Sequence, residues 1–476
     1  MTDGAAEKLN LDELEFSFPE SKIRELKNNG ADSTIVGQDR ALKAIELGLG
    51  IEGEGYNIFV MGAPGTGRRT VISSLLQNYK PNFAKLQDIA YAYNFSRPIE
   101  PIALFFPAGE GRFFRKKIKK AVGHIHTQTL ALLKSEGFLA EQKKIVTKTD
   151  NEENILLMEF ESKMLHVGFK VLQIKDENNQ SLDLIPIIKG KEISFSELQS
   201  KAARKKFSEQ ELAALREKYY ASLDEMSELF SILRDKRIEM DEKLIKHQKD
   251  SVMPIIKEAL DPLRKLVDSY TTKSDNPKQI EDNKKILLFL KKTEEDLINR
   301  MNIYSSEFKS SRIKKNFFGR YLINLICENN KDKNYVINEN LPSFTNLFGT
   351  IESHSDSDAP EINGHLRIRE GAVHRAFGGY LIVRLHDLLE EDDSWSYLKR
   401  VLQSGKIEVQ IPPSGNHSPS VFKPEALPAN FKIIIIGGEY TYDILYQEDP
   451  DFYKLFKVCA EFDSVMKKND KNIASL

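Results

Sequence analysis

Only two cysteines, Cys327 and Cys459, occur in this chain of 476 residues. A disulfide framework is therefore excluded, and a reducing compartment is expected. An excess of charge of one sign is also missing: 69 Lys and Arg stand against 71 Asp and Glu. That balance removes any global electrostatic case for nucleic acid or an anionic membrane as partner. No apolar run approaches the ~20 residues that a membrane helix needs. The start, MTDGAAEKLNLDELEF, is acidic and has no apolar centre, so it does not read as a secretory signal. His124 and His126 have no Cys or carboxylate partner at ligand spacing, so no structural zinc is expected. The cytoplasm is the expected location.

A chain of this length exceeds one ordinary core, and its pattern changes twice. Residues 1–120 alternate helix and strand signals. STIVGQDRALKAIELGLGI carries a possible cap at Ser33 or Thr34, then apolar residues at helical spacing. YNIFVMG reads as a buried strand, RTVISSLLQNY as a helix and DIAYAYNF as the next strand. Strand, loop, helix, strand predicts the opening of a parallel α/β sheet. Residues 121–315 are rich in Leu, Glu and Lys. Two long segments, one after a capping-box pair at Ser208 and Glu211 and one after Asn276-Pro277, predict a helical hairpin or short coiled coil. Between Gly168 and Leu198, two β-like runs around a polar turn predict a small hairpin. Residues 316–463 return to α/β, with GGYLIVRLHDLL and FKIIIIGGEY as strands covered on both faces and WSYLKRVLQSG as a helix ended by Gly405. Residues 464–476 form a polar tail. The fold class expected is a parallel-sheet α/β core interrupted by a helical insertion with a small β-hairpin.

The chemistry is announced by GAPGTGRRT, Gly62 to Thr70. A phosphate-binding loop has the form G-x-x-x-x-G-K-[ST]. Gly62, Pro64, Gly65, Thr66 and Gly67 keep the cradle, in which backbone N–H groups curl around an anion without Cβ obstruction. The following helix points its positive end at the same place. The ending differs, because Arg68 and Arg69 stand where Lys and Ser or Thr are expected. Arg68 keeps a charge of another shape. Arg69 cannot ligate magnesium. A guanidinium about 4 Å from a divalent cation is repelled by roughly 8 kcal/mol at an effective dielectric of about 20. Thr70 lies one residue late.

The second half of a magnesium site would be an acid at the end of a buried strand. In GGYLIVRLHDLL that place belongs to Arg384, and the nearest acid is Asp387. Asp387 also reads simply as a cap of the following helix. Both metal positions thus carry arginine, and magnesium is not expected in its usual place.

Together, IVGQDRALKAIELGLGIEGEGYNIFVMGAPGTGRRT, LPSFTNLFGTIES, REGAVHRAFGGYLIVRLHDLL, WSYLKRVLQSGKIEV and DPDFYKLFKVCAEFD resemble the ATPase part of the Lon-related ATP-dependent proteases. These are AAA+ proteins whose ATPase core is split by a long helical insertion, and the likeness runs over nearly the whole chain. The resemblance implies ATP as ligand, with Ile35, Val36, Gly37 and Gln38 near the adenine and Gly62 to Thr70 around the phosphates. It makes the strand ending at Arg384 the Walker B strand and puts a sensor near Gly438 or Glu439. Lys457 falls near the place of an arginine finger for a neighbouring subunit. It also implies protein substrates or a protease partner, and a homo-oligomeric ring. The family's lid and Ser–Lys proteolytic domain would follow residue 463, and no catalytic nucleophile is assigned here, so this polypeptide alone is not expected to cleave peptides.

Three readings stay open: an ATP-driven remodelling module, a non-hydrolysing nucleotide-binding or scaffold protein, and the product of a decayed protease gene. His374 and Arg375 either line a pore or form a turn that feeds the strand. The basic stretch from Phe113 to Lys120 reads as a solvated helix end, and Trp395 as a core anchor.

Overall fold

Residues 10, 37–77, 79–176, 179–203, 207–272, 276–300, 317–352, 363–409 and 422–465 are described by the structure, a computed structural model. Ser33, Thr34, Ile35 and Val36, and the tail beyond Val465, lie outside the described residues. Helix α1 (Asp39–Gly50) precedes strand β1 (Ile58–Met61), and helix α2 (Arg68–Leu76) starts directly after the glycine turn. Strands β2 (Gln87–Ala92) and β3 (Ile102–Pro107) lead into helix α3 (Glu110–Leu133). Next come helix α4 (Glu136–Val167), strands β4 (Phe169–Asp176), β5 (Asn179–Ile188) and β6 (Lys191–Glu192), and helices α5 (Phe195–Ala203), α6 (Glu209–Thr272) and α7 (Pro277–Asn299). The chain then forms β7 (Ile323–Cys327), β8 (Val336–Glu339), α8 (Phe344–Phe348), β9 (Thr350–Ile351), β10 (Ile368–Arg369), α9 (Ala372–Arg375) and β11 (Tyr380–Arg384). It ends with α10 (Leu385–Glu390), α11 (Ser394–Ser404), β12 (Lys406–Ile407), β13 (Leu427–Pro428), β14 (Lys432–Gly437), α12 (Glu439–Glu448), α13 (Phe452–Leu455) and β15 (Val458–Glu461).

Five of these strands make one parallel sheet in the order β15-β1-β14-β11-β8. Ile58 pairs with Ile434 on one side and Val458 on the other, so β1 is clasped by two strands from the far end of the chain. Its residues Ile58, Phe59 and Val60 are fully buried because both faces of the sheet are covered. Buried Asn57 fixes the start of β1: its amide donates to the Leu455 carbonyl at 2.9 Å and accepts from the Ile433 N–H at 3.1 Å. Lys432 donates to the Gly48 and Ile51 carbonyls, capping the C-terminal end of α1 with a positive charge where the helix dipole favours one. Helix α11 stops at Gly405, whose φ of 64° suits glycine, and Trp395 packs against Phe452 and Phe456 as a core anchor. The mixed α/β class with a long helical region is therefore as the sequence implies.

One strand departs from expectation. β2 does not extend the parallel sheet but pairs antiparallel with β3 and with β7 in a separate three-stranded sheet. Asp88, fully buried in β2, accepts from the backbone N–H groups of Gly109, Gly111 and Asn329 at 2.7–3.0 Å, tying this sheet to the start of α3 and the end of β7.

Two compact units account for the chain. One comprises residues 1–120, 263–292 and 310–476 and holds both sheets just described. The other comprises residues 121–262 and 293–309. In the second, α4 and α6 run antiparallel, joined by Lys163–Glu225 at 2.8 Å, Lys236–Glu152, and a two-pronged Arg237–Glu153 pair at 3.1 and 3.3 Å. The expected hairpin is β4 on β5, in register from Phe169 and Pro186 to Asp176 and Asn179. Helix α6 outruns the expected segment: it continues past Asp250 for a total of 64 residues, through Pro254 and Pro262. Among the described residues, no helix is long and apolar enough to cross a membrane.

Candidate functional site

Parallel strands bring their carboxyl ends to one edge, which is where ligands of open α/β sheets bind. Met61 is in register with Gly437 and Glu461, and Arg384 with Ile436. The glycine loop after β1, the last residue of β11 and the turn after β14 therefore converge. Between them lies a cavity of about 480 Å3 lined by Gly65, Gly67, Arg68, Arg69, Thr70, Arg384, Leu385, His386, Ile436, Gly437, Gly438 and Thr441. No carboxylate among the described residues lines it.

The loop keeps the shape of an anion cradle. Gly65 and Gly67 have φ of 88° and 76°, and a Cβ built at either meets nothing within 4 Å. Space is thus held open beside backbone N–H groups at the start of α2. Thr66 braces the turn by donating its hydroxyl to the Ala63 carbonyl at 2.9 Å. The residues present fit a phosphate group.

They do not fit magnesium. Arg69, where the motif expects a hydroxyl ligand, is exposed and lines the cavity. Arg384 ends β11, where an acid is expected from the sequence, and its guanidinium lies 3.8 Å from the Asp387 carboxylate. Asp387 is not the helix cap expected: α10 begins at Leu385, immediately after the strand, and Arg384 itself is the N-cap residue. Asp387 sits in the first turn, where a negative charge suits the helix dipole. Arg68 turns inward and donates to the Gly437 carbonyl, and partial burial lowers its pKa from the usual arginine value.

The remaining sequence candidates lie around or away from this cavity. Gln38 is fixed by Asp463, donating to its carbonyl at 3.0 Å and accepting from its N–H at 2.9 Å. Glu439 opens α12 one residue beyond Gly438 and does not line the cavity. Lys457 stands at the amino end of β15, at the opposite end of the sheet from the loop. It donates to the Glu54 carbonyl at 3.0 Å and lies 4.9 Å over the Tyr56 ring. His374 is buried in α9 and Arg375 pairs with Glu339 at 2.9 Å, as befits a turn feeding β11. Sequence reasoning missed His386 and Thr441. Each follows a predicted strand by a few residues, a placement that could have drawn attention to them.

A parallel sheet with a glycine loop, a helix restarting behind it and a second strand between the loop strand and β11 defines a P-loop α/β nucleotide-type fold. Residues 332–463 match the family described as "LonB-like, AAA domain", and residues 88–121 match "Lon-like LonC helical domain". No curated protein matches the chain. These two matches, each to a part of the chain, support a Lon-related AAA+ protein. The AAA match contains β8, β11, β14 and β15, whereas β1 and the glycine loop lie outside both matched segments.

Proposed function

We propose that this chain is a nucleotide-binding module of a Lon-like system that holds ATP at the glycine loop and hydrolyses it poorly. The observation that carries the reading is the cavity in which the open cradle of Gly65 and Gly67 meets Arg68, Arg69 and Arg384. Backbone N–H groups at the start of α2 would hold the phosphates. Arg68 would exchange the Gly437 carbonyl for a phosphate oxygen, a stronger charge-assisted partner. Arg69 and Arg384 would add charge. Hydrolysis needs a group that orients or deprotonates water beside the terminal phosphate. The cavity's side chains offer hydroxyls, an exposed histidine and guanidinium groups for that task. Occupancy would then act as a signal, coupling nucleotide to protein substrates or a protease partner within a homo-oligomeric ring.

A second reading, a scaffold that has kept the fold but not the ligand, is favoured by one observation: Arg68 already has a partner in Gly437. Thermal unfolding separates the two. ATP at ~100 times its dissociation constant stabilises by about 2.7 kcal/mol, a rise of about 4 °C for a unit of this size. No shift with ATP or ADP leaves the scaffold. Replacing Arg68→Lys, Arg69→Thr and Arg384→Asp together should raise phosphate release well above that of the unaltered chain. Brisk turnover by the unaltered chain would refute poor hydrolysis.

A further inference from the structure

We infer that the cavity takes its nucleoside polyphosphate bare of metal, and that Mg2+ opposes binding instead of assisting it; the inference rests on the nucleotide reading above. Magnesium demands near-octahedral oxygen ligands, commonly one or two protein carboxylates beside the phosphates and waters. At this edge of the sheet four carboxylates are paired with arginines. Asp387 faces Arg384 at 3.8 Å, Glu339 at the end of β8 holds Arg375 at 2.9 Å, and Glu461 at the end of β15 holds Arg40 at 2.9 Å. Asp463, just beyond, holds the same Arg40 at 2.8 Å. Glu390 faces His386 at 3.1 Å. Glu439 is exposed at the start of α12, outside the cavity lining.

What the cavity offers instead is positive charge from two directions. Arg68 and Arg69 come from the start of α2, and Arg384 from the end of β11. Guanidinium groups recognise phosphate oxygens with paired N–H donors and need no metal to neutralise them. A magnesium ion on the polyphosphate would cancel the charge these groups read and stand against Arg69 and Arg384. Thr70 and Thr441 are the hydroxyl-bearing residues of the lining, and Arg68 already donates to the Gly437 carbonyl.

Equilibrium binding of ATP to the whole chain, in excess EDTA and in excess MgCl2 at matched ionic strength, tests this. Binding should be roughly tenfold tighter in EDTA, as expected when a divalent charge is withheld from a partly exposed arginine cluster. Replacing Arg69→Thr and Arg384→Asp, both exposed positions, should invert the order, so that Mg2+ tightens binding. Equal or tighter binding by the unaltered chain in MgCl2 overturns the inference and leaves nucleotide binding standing. Absence of binding in both solutions removes the nucleotide reading itself, and the inference with it.

Discussion

A methyl group added at Gly62 would lie 2.8 Å from the Phe462 Cβ, whereas at Gly65 or Gly67 it would enter open space. The three loop glycines are thus required for different reasons, and substitution should separate them. Gly62→Ala forces apart the junction of β1 and β15 and should cost about 2 kcal/mol or more in urea unfolding. Gly65→Ala meets no neighbour and pays only for its left-handed backbone, about 1 kcal/mol. Yet its methyl group would fill the cradle, so the ATP-dependent thermal shift should vanish while the fold persists. A Gly65→Ala chain that keeps the full shift would place the ligand elsewhere. The cluster from Gly62 to Thr70 was legible in sequence because strand, turn and helix are consecutive. Arg384 was legible because it ends an apolar run of a strand. The partners of Gln38 and Lys457 were not, since each depends on contacts hundreds of residues away in the chain.

Helix α6 shows how an element can override a local signal. Prolines at 254 and 262 would ordinarily end a helix, costing ~3 kcal/mol each in its interior. Here Val252, Ile256, Leu260, Leu263, Val267 and Tyr270 are all buried, at helical spacing, and both prolines fall on the exposed side. The carbonyls that lose an N–H partner belong to exposed Asp250 and Glu258, so water can satisfy them. Pro254→Ala should therefore raise the urea midpoint without changing its slope, by the equivalent of about 1 kcal/mol or more. A lower midpoint would mean that the packing needs the proline's bend. The misplacement of β2 has a different cause. A strand buried on both faces reads as a continuous apolar run whichever sheet it joins, so its partners, β3 and β7, leave no trace in its own composition.

On the scale of the molecule, the unit with the cavity depends on two buried imidazoles in the segment leading to β11. The His365 Nε2 donates to the Leu322 carbonyl at 2.9 Å, and the His374 Nδ1 accepts from the Gly371 N–H at 3.1 Å. Burial pushes both pKa values down to about 4 from 6.5, against the His365 bond to Leu322, which by itself favours the charged ring, whereas the accepting Nδ1 of His374 requires a neutral one. Because the folded values are the lower ones, stability is full above 6.5 and is lost as pH falls from 6.5 towards 4, where the unfolded chain binds the extra protons. Between pH 7 and pH 5 each histidine should cost about 2 kcal/mol. Asp88 and Glu370, whose pKa values burial raises, act with the opposite sign, and mainly at lower pH. His374→Gln keeps a side-chain acceptor for Gly371 while removing one titration. Urea unfolding of this variant should lose about 2 kcal/mol less than the unaltered chain over the same interval. Parallel losses in the two proteins would show that His374 is already charged in the fold, or that its segment opens before the sheet does.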